Sequence, residues 1–497
     1  MRRRVVLTGW GQVTQSKEQT DILDPLGLMS EATRLAADPI GGSDVLSKLS
    51  GIMVVRPLSK HYVSAAEQLA EIIGATPHFS LVSRIGGNSP QSLINKAAGM
   101  IARGELESVL ITGAEAFYPR SADKQNTKSI LFKGVHEDYQ GDDTIGATEA
   151  EMRHGVVLPI HGFPLYETAL WAASGLNLKD HLLQIGTLWS DFSKIAAAHP
   201  NSWTKMPRNA AEIITPTPSN RMIAFPYTKF MNPLITADLG AAVILMSEKK
   251  AQQHLEKGKR PVYFLGGGYA QDRQRFMIQK SDFISSPPLK AAVQKSLNRS
   301  HLTLDEIQCF DVYSCFPCAV SVARRMLELK DNDPRPLTLT GGLGFFGGPG
   351  NNYSLHAVAT LADAIACEKS DNGLITALGW FMHKHAAGVY SATPVDTDLQ
   401  YHDLEDEKDY LAGKEPVKII DNASGKGVIE TYTVVYSKDA TSSYAVIYGK
   451  TDKGLRFIAR PHPDSDVFDA LTMQNQVEAS VQLRHDAGRN QNIAELL

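Results

Sequence analysis

The feature that most restricts the fold of this 497-residue chain is a sequence pattern that occurs twice. Residues 86–104, GGNSPQSLINKAAGMIARG, are followed by SVLITGAEA, and residues 347–365, GGPGNNYSLHAVATLADAI, are followed by GLITALGW. In both copies a glycine pair leads through Ser-Leu into a helix of small residues and then into a strand with a Leu-Ile-Thr core. A repeated unit of this kind indicates a duplicated fold, in which small residues let the two helices pack closely. Chance likeness between two ordinary α/β segments is the alternative.

The segments around the two copies alternate between short apolar runs and stretches of helical period. The first series contains VVLTG, GIMVV, FSLVS and SVLITGAEA, separated by amphipathic segments such as DPLGLMSEATRLAAD. A second series runs from PVYFLGGG through IQCFDVY and FPCAVSVARRMLEL to NGLITALGW. Strand-length runs that alternate with helices predict βαβ units and a parallel sheet with helices on both faces. The chain is therefore predicted to be an α/β protein.

Two further regions differ from this alternation. Residues 119–236 bring charged turns, a candidate helix from Leu178 to Ala198 and the segment ITPTPSNRM, which together are too long for a simple connection and predict an inserted loop domain. Near the end, the acidic stretch DLEDEKDYLAGKEP gives way to runs with period-2 alternation, which predict a small antiparallel β domain with an OB-like barrel. The predicted divisions are residues 1–118 with 237–255 for the first half, 119–236 for the loop domain, 256–398 for the second half and 399–497 for the β domain.

The composition argues against several classes of protein. A formal net charge of −4 leaves no basic excess for a nucleic acid backbone, although OB-like domains often bind nucleic acids. No apolar run approaches the roughly 20 residues that span a bilayer. Four cysteines in so long a chain do not form a disulfide framework. We therefore expect a cytoplasmic protein with reduced thiols that binds neither nucleic acid nor membrane.

Four motifs, in the right order, resemble those of the thiolase superfamily. SRIGGNSPQSLINKAAGMIARG is similar to the segment that carries the nucleophilic cysteine, and NPLITADLGAAVILMSEKKA is similar to the segment that closes the loop domain. DVYSCF resembles the Asn-Glu-Ala-Phe or His-Asp-Cys-Phe motif, and GGLGFFGGPGNNYSLH resembles the Gly-His-Pro loop. The resemblance covers about residues 1–395, and it is to thiolase-like proteins with an extra C-terminal β domain.

This resemblance implies both a fold and a ligand. It implies a duplicated thiolase fold with five layers in the order αβαβα, an inserted loop domain and a C-terminal OB-like domain. It also implies an acyl-CoA ligand, and hence coenzyme A without a metal, together with a transferase or acyltransferase role in lipid metabolism. Thiolases dimerise through the sheet of the first half, so a homodimer is expected. A monomer is left open, because the extra β domain could cover that sheet edge.

The positions of the family's catalytic residues hold other residues in this chain. The nucleophilic cysteine falls on Gly87, the second cysteine falls near Leu378 or Gly379, and the histidine of Gly-His-Pro falls on Gly348. In thiolases a cysteine thiolate at a helix N-terminus takes the acyl group, and glycine cannot replace it. The resemblance therefore implies the thiolase scaffold without the thiolase ping-pong mechanism.

Backbone groups of the two glycine turns are the first remaining candidates. An oxyanion hole is built from hydrogen-bond donors and does not require the nucleophile. The backbone N–H groups at Gly86, Gly87, Asn88 and Gly348 are therefore predicted to polarise a thioester carbonyl.

Two tyrosines are the next candidates. Tyr313 stands in the place of the family's Asn or His, and Tyr353 lies in the loop that replaces Gly-His-Pro. A phenol can act as a general acid or base when its pKa is shifted, and cysteine-free members of the superfamily include retro-aldolases that use tyrosines. Tyr313 is the first choice. Core packing with a satisfied hydroxyl is the alternative for both tyrosines.

Cysteines and histidines complete the candidates. Cys315 and Cys318 form a C-F-P-C motif where a strand meets a helix, which is the setting of thioredoxin-type redox pairs. Sterol-carrier-like thiolases carry a cysteine at the position of Cys315, so an acid/base or nucleophilic role stands beside the redox interpretation. A zinc site is less favoured, because Cys309, Cys315 and Cys318 lack an obvious fourth ligand at tetrahedral spacing. The histidine candidates are His385 first, near the place of the second family cysteine, then His154, His161, His356 and His383, each with a structural role as the alternative.

Two main functions follow from these residues. The first is an enzyme that acts on a C–C bond of an acyl-CoA without a cysteine nucleophile, by acyl transfer, retro-aldol cleavage or hydrolytic cleavage. The second is a non-catalytic acyl-CoA-binding protein whose β domain mediates interactions. A CxxC redox protein is the third.

Overall fold

A computed structural model describes residues 3–119, 146–256, 258–330, 332–395, 411–438, 442–462 and 467–497. These residues form a large mixed α/β unit and a second, smaller sheet. The predicted boundary between residues 398 and 399, with most of the acidic stretch beside it, lies outside the described residues.

The first part of the chain alternates strands and helices as predicted. Its elements are β1 (Val5–Thr14), α1 (Pro25–Ala37), α2 (Ser43–Ser47), β2 (Gly51–Val54), α3 (Ala65–Ile72), β3 (Phe79–Val82), α4 (Ser89–Arg103) and β4 (Ser108–Ala116). The Asp24 side chain caps α1 by accepting a hydrogen bond from Gly27 N, and Pro25 occupies its first position. Helix α4 ends at Gly104, whose φ of 81° lies in the left-handed region that favours glycine.

Residues 146–251 add helices before the chain returns to the sheet. The elements are α5 (Glu149–Arg153), α6 (Pro159–Ser174), α7 (Leu178–Ala198), α8 (Ala210–Ile214), β5 (Met222–Ala224), β6 (Tyr227–Thr228), β7 (Asp238–Ser247) and α9 (Glu248–Ala251). The helix predicted from Leu178 to Ala198 is confirmed as α7, and the Asn177 side chain caps it by accepting from Asp180 N. Among the helices of the described ranges there is no candidate for a membrane-spanning segment.

The second half repeats the order of the first. Its elements are β8 (Val262–Asp272), α10 (Pro287–Ser300), β9 (Cys309–Asp311), α11 (Pro317–Met326), α12 (Tyr353–Ala366), β10 (Asn372–Gly379) and β11 (Lys384–Ser391). Short 3₁₀ helices lie at Asp38–Ile40, Lys229–Met231, Met277–Gln279 and Leu304–Glu306. The series α4, β4, β7 corresponds to α12, β10, β11, as the repeated sequence pattern predicts.

The two halves share one sheet and pack in layers. The strand order is β3-β2-β4-β7-β1-β8-β11-β10-β9, and the antiparallel pair β1 and β8 joins the halves. Helices α4 and α12 contact each other and strands of both halves, so they form the middle layer. Helices α1 and α3 pack on strands of the first half, and α10 packs on β8 and β11. These contacts agree with the predicted αβαβα arrangement.

The last part of the chain forms a closed sheet. Its elements are β12 (Leu411–Ala412), β13 (Gly425–Tyr436), β14 (Ser442–Thr451), β15 (Arg456–Pro461), α13 (Val467–Met473), β16 (Ser480–Asp486) and β17 (Gln491–Leu496). Strand β13 pairs with both β14 and β16, so the ring β13-β14-β15-β17-β16 closes on itself. A closed five-stranded sheet is consistent with the predicted OB-like domain. Strand β5 extends this sheet at β13, and β12 instead pairs with β8 of the α/β unit.

Buried polar contacts hold the barrel against α5. The carboxyl group of Glu151 accepts hydrogen bonds from the Tyr448 hydroxyl, at 3.1 Å, and from Ile278 N, at 2.8 Å. The ring of His154 accepts a hydrogen bond from Asn492 N, at 3.1 Å. His154 therefore has a structural role at this junction.

Candidate functional site

A cavity of about 290 Å³ lies where the two glycine turns meet the start of α6. Its wall consists mainly of aliphatic and aromatic side chains, among them Leu58, Phe117, Ile160, Phe163 and Leu343. No Asp, Glu, Lys, Arg or His side chain is among the lining residues within the described ranges. The cavity therefore suits an uncharged, apolar group, with a few polar atoms to orient it.

The Tyr313 hydroxyl occupies the position where the resemblance implies a nucleophilic thiol. A Cβ atom placed on Gly87 would overlap the Tyr313 Oη and would lie 2.6 Å from the carbonyl oxygen of Leu378. Tyr313 follows β9, and its backbone N–H donates to the Thr376 Oγ1 on β10, at 3.0 Å. Both Gly87 and Tyr313 line the cavity. A polar oxygen thus stands at the vacated thiol position.

An amide oxygen occupies the position of the second cysteine. A Cβ atom placed on Gly379 would overlap the Asn88 Oδ1, and the neighbouring residues Leu378 and Trp380 line the cavity wall. Asn88 Nδ2 donates to Ser92 Oγ at 3.4 Å, but the buried Oδ1 has no hydrogen-bond partner among the described residues. Asn88 therefore lies directly behind the cavity and fills space that a cysteine would need.

Two of the four predicted backbone donors are already engaged. Gly86 N donates to the Asn351 Oδ1 at 2.9 Å, and Gly348 N donates to the carbonyl oxygen of Leu234 at 2.9 Å. The prediction that Gly86 and Gly348 polarise a carbonyl is corrected for this reason. Within the described chain, the N–H groups of Gly87 and Asn88 have no acceptor. They lie at the N-terminus of α4, where the helix dipole favours a developing negative charge.

Tyr353 supports the site from behind and does not line the cavity. Its hydroxyl donates to the Asp311 Oδ1 at 3.0 Å and lies 2.6 Å from the Thr340 Oγ1. Its ring meets the Tyr313 ring edge to face, with the centroids 5.5 Å apart. Burial raises the pKa of both Tyr353 and Asp311. Of the two candidate tyrosines, the structure brings only Tyr313 into the cavity wall.

Burial keeps the Tyr313 phenol and the Cys315 thiol protonated. Burial, and then the neighbouring Cys315, raises the pKa of Tyr313, and burial raises the pKa of Cys315. Cys318 is also buried, its thiol donates to the carbonyl oxygen of Phe163 at 3.4 Å, and burial raises its pKa. A redox pair needs a thiolate at neutral pH. The CxxC redox interpretation therefore has no support in the site.

The cysteine environments predict an order of alkylation. Cys367 is half-buried, whereas Cys309, Cys315 and Cys318 are buried. With iodoacetamide at pH 8 we expect Cys367 to react first and the other three thiols to react only after unfolding, as followed by mass spectrometry. Rapid labelling of Cys315 in the folded protein would contradict this predicted order and would favour the redox interpretation.

None of the five candidate histidines lines the described cavity wall. His385 lies on β11 with its Nε2 3.0 Å from the Ser286 Oγ, in the interior behind the wall. His356 lies 2.8 Å from the Gln12 side chain, and His161 accepts from Leu158 N at the start of α6. Burial lowers the pKa of His154 to about 4, of His356 and His385 to about 3, and of His383 well below its ordinary value. These four rings are neutral near pH 7, and no cluster of potential metal ligands occurs within the described residues.

Asn351 and Trp380 are two of the cavity-wall residues that the sequence did not single out. Asn351 is buried and bonded to the Gly86 turn. Trp380 has a φ of 51°, in the left-handed region that a bulky residue rarely adopts. The Asn-Asn pair inside a glycine-rich loop was a visible signal for Asn351. No local pattern pointed to the backbone conformation of Trp380.

Comparisons with known proteins agree with this fold. Residues 408–488 match the family model for the thiolase-like protein type 1 additional C-terminal domain. No curated protein matches the chain. The crystal structure of a monomeric SCP2-thiolase-like protein type 1 from Mycobacterium smegmatis is 30% identical, with a TM-score of 0.83 and coverage of 100% of both chains.

Two more distant structures share the fold. The Ltp2-ChsH2(DUF35) aldolase is 16% identical, with a TM-score of 0.61 over 78% of this chain and 97% of that one. The acetyl-CoA acetyltransferase from Syntrophomonas wolfei is 14% identical, with a TM-score of 0.57 over 79% of this chain and 100% of that one. Since the first relative matches over its full length and the C-terminal domain matches separately, this chain belongs to the SCP2-thiolase-like protein type 1 family.

Proposed function

We propose that the protein binds an acyl-CoA thioester in the cavity and acts on a carbon–carbon bond of the acyl group, with Tyr313 as the proton donor. The observation that carries the proposal is the position of the Tyr313 hydroxyl, which fills the space vacated at Gly87 and forms part of the cavity wall. Two further facts support it. The N–H groups of Gly87 and Asn88 are available at the start of α4. Of the two distant structures that share the fold, one is named an aldolase and the other an acetyl-CoA acetyltransferase.

The protonation state of Tyr313 restricts the chemistry that it can perform. Because burial raises its pKa, the phenol donates a proton and does not serve as a base at neutral pH. In retro-aldol cleavage of a β-hydroxyacyl thioester, the Cα–Cβ bond would break and the hydroxyl proton would pass to solvent. Tyr313 would then protonate Cα of the thioester enolate and regain its own proton from water. The N–H groups of Gly87 and Asn88 would stabilise the enolate oxygen.

The second candidate function is acyl-CoA binding without turnover. It is favoured by the cavity wall, where no side chain of the described residues has a pKa near neutrality and could act as a base. Both candidates keep coenzyme A as the ligand and a role in lipid metabolism. For the oligomeric state we favour a monomer over the homodimer, because the Mycobacterium smegmatis relative is described as monomeric.

The substitution Tyr313→Phe tests the catalytic proposal. It removes one hydroxyl and keeps the ring, so we expect kcat for acyl-CoA cleavage to fall about 100-fold while the Kd for the thioester stays within about twofold. The measurement is formation of the carbonyl product and the shortened acyl-CoA from a series of β-hydroxyacyl-CoA compounds, followed by chromatography, with Kd from calorimetry.

The matched control is Tyr390→Phe. Tyr390 is also buried and donates to Gln91 Oε1 at 2.8 Å, but it does not line the cavity. We expect this variant to keep the wild-type kcat. Equal turnover in Tyr313→Phe and wild type would refute the role of Tyr313. Binding without turnover in wild type would favour the second candidate, and absence of both would remove acyl-CoA from the proposal.

A further inference from the structure

Asn351 contributes the one side-chain amide of the described cavity wall. The other polar side-chain groups there belong to Tyr313, Cys315 and Trp380. Asn351 is 4% exposed, so its amide faces an environment from which water is largely excluded. A polar group in such a place is held by hydrogen bonds or provides one to a ligand.

Two hydrogen bonds fix the orientation of this amide. The Oδ1 accepts from Gly86 N at 2.9 Å, and the Nδ2 donates to the carbonyl oxygen of Arg56 at 2.9 Å. If the amide were flipped by about 180°, its Nδ2 donor would face the Gly86 N–H and its Oδ1 acceptor would face the Arg56 carbonyl oxygen. The observed orientation is therefore strongly preferred. The Nδ2 carries a second N–H, which has no acceptor among the described residues.

We propose that this second N–H of Asn351 donates to the carbonyl oxygen of the bound thioester, beside the backbone N–H of Gly87. The inference rests on the proposed acyl-CoA ligand and assigns a carbonyl-binding residue within it. A carbonyl that enters an apolar cavity loses its hydrogen bonds to water and needs donors there. A donor whose rotamer is already locked by two other bonds loses little entropy when it binds the ligand.

The neighbouring Asn352 provides a matched comparison. It lies in the same loop, is 1% exposed and also bonds to backbone, because its Nδ2 donates to the Gly113 carbonyl oxygen at 2.6 Å. It does not line the cavity. A purely structural role would predict similar ligand effects for the two asparagines, whereas carbonyl binding predicts an effect for Asn351 alone.

The experiment compares hexanoyl-CoA with S-hexyl-CoA, a thioether that lacks the carbonyl. Calorimetry gives the ratio of the two Kd values for wild type, Asn351→Ala, Asn351→Asp and Asn352→Ala. The aspartate variant keeps an acceptor for Gly86 N and lacks the amide donors, so it serves if the alanine variant is poorly folded. We expect both Asn351 variants to weaken hexanoyl-CoA binding by about 3- to 10-fold relative to S-hexyl-CoA. The ratio for Asn352→Ala should match wild type.

Three outcomes would overturn the inference. Unchanged affinity of both Asn351 variants for both ligands would show that the amide does not bind the carbonyl, while leaving the acyl-CoA proposal in place. An equal loss of affinity for both ligands would assign Asn351 a structural role. Failure of wild type to bind either ligand would overturn the acyl-CoA proposal and the role of Asn351 with it.

Discussion

Placing even a methyl group at position 87 is expected to disrupt the site that the family's nucleophile would occupy. In Gly87→Ala the new Cβ would overlap the Tyr313 Oη and press within 2.6 Å of the Leu378 carbonyl oxygen, a backbone atom that cannot rotate away. Overpacking a dense core typically costs 1–3 kcal/mol, and more where backbone must move. We expect the free energy of unfolding, measured by urea denaturation, to fall by roughly 3 kcal/mol or more.

Gly348, which stands at the position of the family's Gly-His-Pro histidine, provides a matched control for Gly87→Ala. A Cβ on Gly348 would lie 3.5 Å from the Pro233 Cβ, an ordinary contact, so Gly348→Ala should change stability by less than about 1 kcal/mol. Adding Tyr313→Asn to Gly87→Ala should recover about 1–3 kcal/mol, because the two positions compete for one space. Equal stability of the two alanine variants, or strictly additive effects in the double variant, would disprove this competition.

This coupling explains why one substitution cannot restore a thiolase nucleophile to this chain. The phenol and the glycine are complementary, and a cysteine at position 87 requires the removal of Tyr313 as well. The phenol of Tyr313 therefore fills the vacated thiol position.

The sequence predicted the scaffold because its signals are local and repeated. The small-residue helices recur with the same flanking strands, and they became the middle layer, α4 and α12. The helix predicted from Leu178 to Ala198 is α7, with the same bounds. Period-2 alternation likewise predicted the closed β sheet at the end of the chain.

The details of the site depend on contacts between residues far apart in the chain, which no local pattern encodes. Whether an N–H of a glycine turn is available depends on its acceptor, and Gly86 meets Asn351 from the other half of the chain. The sequence predicted His385 as the first histidine candidate because it lies near the position of the family's second cysteine. It lies on a strand that alternates sides, and its ring points to Ser286 in the interior. Burial then lowers its pKa, so it became a neutral structural residue.

Removing one partner of the buried ion pair between Lys280 and Asp272 should destabilise the protein strongly. Lys280 Nζ lies 2.7 Å from Asp272 Oδ2, and both side chains are 2% exposed. Lys280→Met would leave the Asp272 carboxylate without its cation in a region of low dielectric. We expect the free energy of unfolding to fall by roughly 3–5 kcal/mol, and Lys280→Met with Asp272→Asn to recover most of this loss, because no unpaired charge remains.

An exposed pair of the same length provides the control for this prediction. Lys290 Nζ also lies 2.7 Å from a carboxylate oxygen, that of Glu328, but these side chains are 57% and 77% exposed. Water screens such a pair, so Lys290→Met should cost less than about 1 kcal/mol. Losses of equal size in Lys280→Met and Lys290→Met would mean that burial does not set the contribution of the Lys280 pair.

Lys280→Met should also change how the free energy of unfolding depends on pH, because Lys280 influences the pKa of His385. Burial first, and then the Lys280 cation, lowers the pKa of His385 to about 3 from an ordinary value of 6.5. A folded-state pKa below the unfolded value gives stability that is fully present above pH 6.5 and is lost as the pH falls towards 3. Removing the Lys280 cation raises the folded-state pKa of His385. The free energy of unfolding should then fall less between pH 6.5 and pH 3 on account of this histidine. An NMR titration of His385 should show a higher pKa in Lys280→Met than in wild type. An unchanged pKa would mean that Lys280 does not act on the ring, and burial alone would then account for its neutrality.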